Sequence, residues 1–547
     1  MVNVASDVGA DLPPPEPPEP PTPPGRRRWP AVVAAAVVAA GIAVTLVTPG
    51  ATGPAGRVVG GNVPLNPSAG DRADTSAHNS PSLRANPRDP ANLAEAERID
   101  TPQVGCAVRV SFDGGSTWSV VPVALPPGEQ VSCFSPDVAF GGDGRLYLVF
   151  TTFAVVQNQG IAPDGLWLAS SPDSGRSFSA PQRVAGQLAF QARVVADPTV
   201  PRRLWVTWLQ GSLTAAGAGL ASTGDLIVVS RSDDGGATWG APVAASGKGR
   251  ARVVAPALAV VGRGELVLAY LDVGDDALDY AGAHQGNGGE PYAGRWSLVV
   301  ARSGDGGARW AETVLAPALV PTQRFLMVNP PAPSVAVDAR RHRAYVAFHD
   351  GGAGDPDVVL WRSGDGGRSW ARGRRINDTR PHDATSQYLP ALGVAPGGRV
   401  DVVYYDRRAD PRDVTTDVSL QSSFDGGRTF AHRLRLSDRG FDAGIGPGAP
   451  QGMAELGDRL GLVSTDRAVL AVWTDTRGGT RQGGKQDLAR AVAAVSAPSS
   501  LRPWLRRCGG AGAALGVLAL AAVVLAGRRS RRPPATAGAG GEAAPAA

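Results

Sequence analysis

The chain has 547 residues, 71 of them glycine and 47 proline, with 54 Lys and Arg against 49 Asp and Glu for a formal charge of +5. Part of that excess sits in arginines beside a terminal apolar stretch, and no basic stripe carries interleaved aromatics, which argues against nucleic-acid binding. Six histidines without metal-ligand spacing, no nucleophile-elbow serine and no phosphate-cradling glycine loop argue against a metal site or a cofactor.

Residues 1–28 are Pro-rich, from Pro13-Pro14-Pro15 to Arg26-Arg27-Arg28, and are read as a disordered cytoplasmic tail. The stretch 29–49 is apolar and follows three arginines, so it is either a signal peptide or an uncleaved signal anchor. The long preceding tail favours the anchor. Residues 50–77 read as a linker with a strand-like segment, Arg57–Leu65.

From there an eight-residue phrase recurs six times: SFDGGSTW, SPDSGRSF, SDDGGATW, SGDGGARW, SGDGGRSW and SFDGGRTF. Its aspartates are Asp113, Asp173, Asp234, Asp305, Asp365 and Asp425, spaced by about 60 residues except for one longer interval. A fixed long period with apolar runs around each copy indicates one β unit repeated. Asp-Gly or Ser-Gly supplies a tight turn, the Asp and leading Ser accept backbone N–H groups, and the closing Trp or Phe buries its ring between units.

The phrase Ser-x-Asp-x-Gly-x-Ser/Thr-Trp/Phe resembles the Asp-box, or BNR repeat, of sialidase-like β-propellers. Arg309 departs from it in the fourth copy. The resemblance spans nearly the whole region between the apolar segments and implies an all-β propeller in which the boxes are structural. It also implies an exo-acting sialidase chemistry of three arginines, a Tyr nucleophile with a Glu partner, and an Asp acid. Here Asn79 stands where the first arginine is expected. Tyr388, in Gln387-Tyr388-Leu389-Pro390, is the nucleophile-like tyrosine, yet no Glu lies near it in sequence, Glu455 being a blade away.

Between boxes a second phrase recurs, a pair of apolar alternating segments such as Pro333–Val337 leading to Val346–Asp350. With the box hairpin this gives four antiparallel strands per repeat, the size of a propeller blade. Residues 78–497 then hold seven units; six remains possible. The seventh, with strands near 458–463, 467–473 and 487–495, lacks a box and an outer strand, which 57–65 can supply to close the ring and hide its edges. A juxtamembrane linker, 498–508, leads to an apolar stretch, 509–527, read as a transmembrane helix, and 528–547 to a basic cytoplasmic tail. The propeller is therefore expected on the extracytoplasmic side of the cell membrane. There Cys106 and Cys133, flanking the first box, are expected to pair, while Cys508 has no evident mate.

Six identical turns do not make one active site, so chemistry is expected at the channel mouth. Asp272, Asp350, Asp406 and Asp475 occupy equivalent positions there, with Arg407, Arg408 and Arg477 beside two of them. Such groups suit a polyhydroxylated or acidic ligand, or each Asp simply caps its own turn. The long interval is filled by Val273–Gly294, a Gly-rich segment with Asp275, Asp276, Tyr280, His284 and Tyr292, the kind of loop that builds specificity. The sequence thus favours a membrane-anchored propeller binding a glycan or an envelope protein. A sialidase-type glycosidase and an envelope scaffold are the alternatives.

Overall fold

The computed structural model describes residues 54–66, 75–127, 132–156, 160–214, 217–218, 223–250, 252–276, 292–321, 330–447, 456–497 and Leu518. Both apolar terminal segments, apart from Leu518, and Glu455 fall outside the described residues. Among the described residues no helix is long and apolar enough to cross a membrane.

Among the described residues the apolar alternation resolves into seven antiparallel blade sheets of four strands, in chain order in the first six, with the short strand Phe441–Asp442 added to the sixth. Blades 1 to 6 span His78–Val120, Ser132–Ala185, Ala189–Ala244, Val253–Leu319, Ser334–Arg375 and Gln387–Arg435. Blade 7 takes Gly461–Ser464, Ala468–Asp475 and Asp487–Val495 from one end of the chain and Gly56–Pro64 from the other. Each blade packs on the next. Leu392 and Val402 of blade 6 meet Tyr345 and Leu360 of blade 5, and Leu83 and Leu93 of blade 1 meet Leu470 and Leu488 of blade 7. The count is seven, and the closing strand lies within one residue of its expected place.

Closure decides where the chain leaves the ring. Gly56 pairs with Val495, and the Val495 N–H donates to the Arg467 carbonyl, in the turn between the first two strands of blade 7. The equivalent turns of other blades bond the repeated Ser-x-Asp turns: Gly114 N–H to Ala91 O at 2.8 Å and Gly235 N–H to Arg202 O at 2.8 Å. Gly56 and Val495 therefore both lie on this turn face, opposite the mouth.

The repeated turns owe their geometry to hydrogen bonds inside eight residues. In each, the Ser hydroxyl accepts the N–H of the second glycine position, at 2.7 Å for Gly175 and 2.8 Å for Gly367. The Asp carboxylate takes the N–H four residues on and the hydroxyl of the same residue, 2.9 and 2.5 Å for Asp365 and Ser369. At the exceptional copy the Arg309 Nε replaces that hydroxyl, 2.8 Å from Asp305. Such bonds favour the carboxylate: Thr238 holds Asp234 at about 2, and Arg309 does the same for Asp305. Gly366 and Gly367 sit at φ of +72° and +87°, where a side chain is strained. The indole N–H groups of Trp118, Trp310 and Trp370 close the turns onto the same glycine carbonyls.

The innermost strands share a second device. Ser80, Ser135, Gln191, Ala255 and Leu389 all lie in the left-handed region, at φ between +50° and +59°, and the strand register shifts beside each. A non-glycine residue there costs about 1–2 kcal/mol, so five at one place in five blades mark a bulge with a purpose.

Candidate functional site

On the mouth face the four aspartates singled out in the sequence perform one local task. Asp272, Asp350, Asp406 and Asp475 each accept the N–H two residues on, from Gly274, Gly352, Arg408 and Arg477, at 2.9–3.2 Å. They end their strands in the same side-chain turn. Their remaining bonds differ. Asp350 takes the Val320 N–H at 2.9 Å, and Asp272 lies 3.6 Å from the Arg250 guanidinium. Asp406 is fully buried, 2.7 Å from Arg408 and bonded to Ser419. Asp475 lies 2.6 Å from Arg477 and accepts the Trp473 indole N–H. Arg477 also pairs with Asp438.

Tyr388 sits at the start of the blade 6 inner strand and is 4% exposed. Arg407 covers its ring, with the guanidinium carbon 5.0 Å from the centroid. Its hydroxyl lies 3.3 Å from both Thr416 Oγ1 and Arg407 Nη2, and among the described residues its partners include no carboxylate. Arg407 is itself held by the Asp413 carbonyl at 2.9 Å and by Thr416. The structure thus brings Tyr388 and Arg407 together, while Arg477 and its Asp475 belong to blade 7. Asn79 is buried and donates to Asp100 at 2.8 Å, which is also 2.7 Å from Arg98. Asp100, one residue past the corresponding strand end of blade 1, was missed because no strand-end aspartate marks it.

Below the mouth the channel is closed. Arg193 of blade 3 reaches across to Asp458 of blade 7 at 2.7 Å, and the Ala332 N–H of blade 5 donates to the Asp458 carbonyl at 3.2 Å. Arg459 donates to the Pro136 carbonyl of blade 2, and Ser82 and the Val194 N–H both bond Asp137. The Asp458 N–H completes the collar on Ser80 Oγ at 3.0 Å. Burial works against the Asp458 carboxylate, but Arg459, Arg193 and Arg98 hold it at about 2. None of these contacts is a sequence motif; Arg193 and Asp458 are 265 residues apart.

Two further buried groups escaped the sequence reading. His349 is buried to 4% exposure beside Phe348, and desolvation lowers it to about 3, so it stays neutral. Between blades 1 and 7, Glu97 accepts from His78 at 2.8 Å and from Arg109, whereas burial and the Glu97 charge push the neighbouring Glu95 upward. The strand Leu93–Ile99 carries both acids inside the ring.

Cys106 and Cys133 form a disulfide between the third strand of blade 1 and the inner strand of blade 2, Cα atoms 5.5 Å apart. Among the described residues no group of three or more His, Cys, Asp or Glu can hold a metal ion. Of the long loop after Asp272, the ends are described: Tyr292 bonds Asp275, and Trp296 bonds Asp276 at 3.0 Å. Residues 277–291 lie outside the described residues.

No protein-family model matches the chain, and no curated protein matches it. Solved structures do resemble it at low identity. A protein of unknown function from Dyadobacter fermentans is 15% identical over 81% of this chain and all of its own, with a TM-score of 0.46. The α-L-arabinofuranosidase Arb93A from Fusarium graminearum is 15% identical over 67% of this chain and 95% of its own, TM-score 0.38. The NanB sialidase from Streptococcus pneumoniae is 8% identical over 81% and 98%, TM-score 0.39. The seven-bladed architecture rests on the strand pairing itself.

Proposed function

We propose that this chain is a membrane-tethered propeller, held on the extracytoplasmic side by its apolar ends, that binds a glycan or protein at its mouth without hydrolysing it. The observation that carries the reading is the state of Tyr388. Its hydroxyl is engaged by Thr416 and Arg407, no carboxylate among the described residues bonds it, and Arg407 is held by Asp413 and Thr416. A glycosidase of sialidase type needs that tyrosine activated and its arginines open to a substrate carboxylate. What the mouth offers instead is a rigid set of aspartate turns on a ring, a scaffold suited to presenting loops. Gly56 and Val495, the outer ends of the two strands that close blade 7, lie on the opposite face. The full chain in nanodiscs, applied to a glycan array, tests this. Glycan binding lost in Asp350→Asn supports the mouth. Binding that survives mouth substitutions contradicts it, and an empty array leaves a protein ligand as the reading.

A further inference from the structure

The channel beneath the collar is a separate cavity of about 450 Å³, within the range of roughly 300–1,000 Å³ typical of small-molecule sites. We propose that it binds a single-chain amphiphile with an anionic head, entering from the turn face with its head toward the collar. This inference is independent of the mouth reading.

Three observations converge on that chemistry. The first is shape. Toward the mouth, Ser80, Ser135, Gln191, Ala255, Leu389 and Asp458 are 1–2% exposed and seal the channel. Toward the turn face, the lining residues Val195, Ala196, Val337 and Val394 are half-buried and Pro87 is exposed, so the cavity is blind at one end and open at the other.

The second is the wall. All seven blades contribute, and beyond the collar the side chains are mostly aliphatic, among them Leu258, Val260, Val337, Leu392, Val394 and Leu462, with Phe140 and Ser334 beside them. An aliphatic tunnel is a poor host for water and a good one for a hydrocarbon chain.

The third is charge at the inner end. The lining holds Arg84, Arg193 and Arg459, against Asp137 in the lining and Asp458 in the collar above. Asp458 is bound to Arg193, which leaves an excess of guanidinium. Arg459 keeps one donor on the Pro136 carbonyl, while its Nε and Nη1 are buried without a hydrogen-bond partner, Nη1 lying 3.7 Å from Asp458. Arg84 has a side chain 47% exposed, lies 3.8 Å from Asp137 and bonds the Leu83 carbonyl, so it can swing a planar pair of donors onto an anion. A carboxylate or a phosphate fits this end; a cationic or neutral head does not. Both heads share the recognition chemistry, and a fatty acid or a phosphorylated lipid chain can supply it.

The test uses the full chain in nanodiscs of zwitterionic lipid, photolabelled with a diazirine-bearing palmitate and mapped by peptide mass spectrometry. The label is expected on the inner strands Val253–Gly262, Ser334–Asp338 or Gln387–Val394. Dodecanoate and dodecyl phosphate should displace it, the stronger of the two naming the source, and dodecyltrimethylammonium should not. Arg84→Leu should lower labelling about tenfold, the scale of one charged hydrogen bond, whereas Arg88→Leu outside the cavity should leave it unchanged. Ala336→Phe, at a half-buried wall position, should also reduce it. Labelling confined to other segments, or equal displacement by the cation, overturns the proposal.

Discussion

Arg193→Met tests whether the ring is locked across its axis. In the native chain Arg193 and Asp458 are 2.7 Å apart with side chains 9% and 1% exposed. Removing one partner of a buried pair typically costs about 3–5 kcal/mol, because the other charge stays buried. Asp458 keeps Arg459 at 3.7 Å, which places the expectation near the lower figure, about 3 kcal/mol. For a domain of this size the unfolding entropy is so large that 3 kcal/mol moves the melting temperature by only about 3 °C. Differential scanning calorimetry on the full chain resolves that shift. Adding Asp458→Asn should recover most of the loss, since the uncompensated carboxylate is what costs. A single substitution that moves the transition by less than about 1 °C, or a double one no better than the single, refutes a collar held by this pair.

Other outcomes follow from the same geometry. Cys106→Ser with Cys133→Ser opens a loop of 27 residues and should cost about 3.5 kcal/mol by the loop-entropy relation, read as a lower melting temperature that matches wild type under reductant. Deleting residues 54–66 removes the outer strand of blade 7 and exposes the edge of Asp487–Val495; aggregation or a lowered transition is expected in light scattering and calorimetry, and an unchanged monomer contradicts closure. In acid, Asp234, Asp305 and Asp458 are all held at about 2, below the unfolded carboxyl near 3.9. Their stabilisation is complete above about pH 4 and is lost as pH falls through 2, so the melting temperature should drop over that window.

How much was legible in the sequence depended on the distance between interacting parts. The repeated turn was legible because Ser363, Asp365, Gly367 and Ser369 bond one another within a few residues. The closing strand was legible by counting: a seventh unit with three strands needs a fourth, and 57–65 alternates suitably. The mouth aspartates were found as equivalents, and the structure shows that what makes them equivalent is a turn bond to the N–H two residues on. The collar was not legible, since Arg193, Asp458 and Arg459 meet residues on other blades only once the ring closes. The inner-strand bulges were equally hidden, because left-handed Ser80 and Leu389 carry no residue signature of that backbone.

The most direct measurement is hydrolysis of a fluorogenic sialoside by the full chain in nanodiscs, beside Tyr388→Phe. With the Tyr388 hydroxyl held by Thr416 and Arg407 and no carboxylate among the described residues bonded to it, release at the rate of the protein-free blank is expected for both chains. Release above the blank that Tyr388→Phe abolishes would contradict a binding propeller and establish a glycosidase.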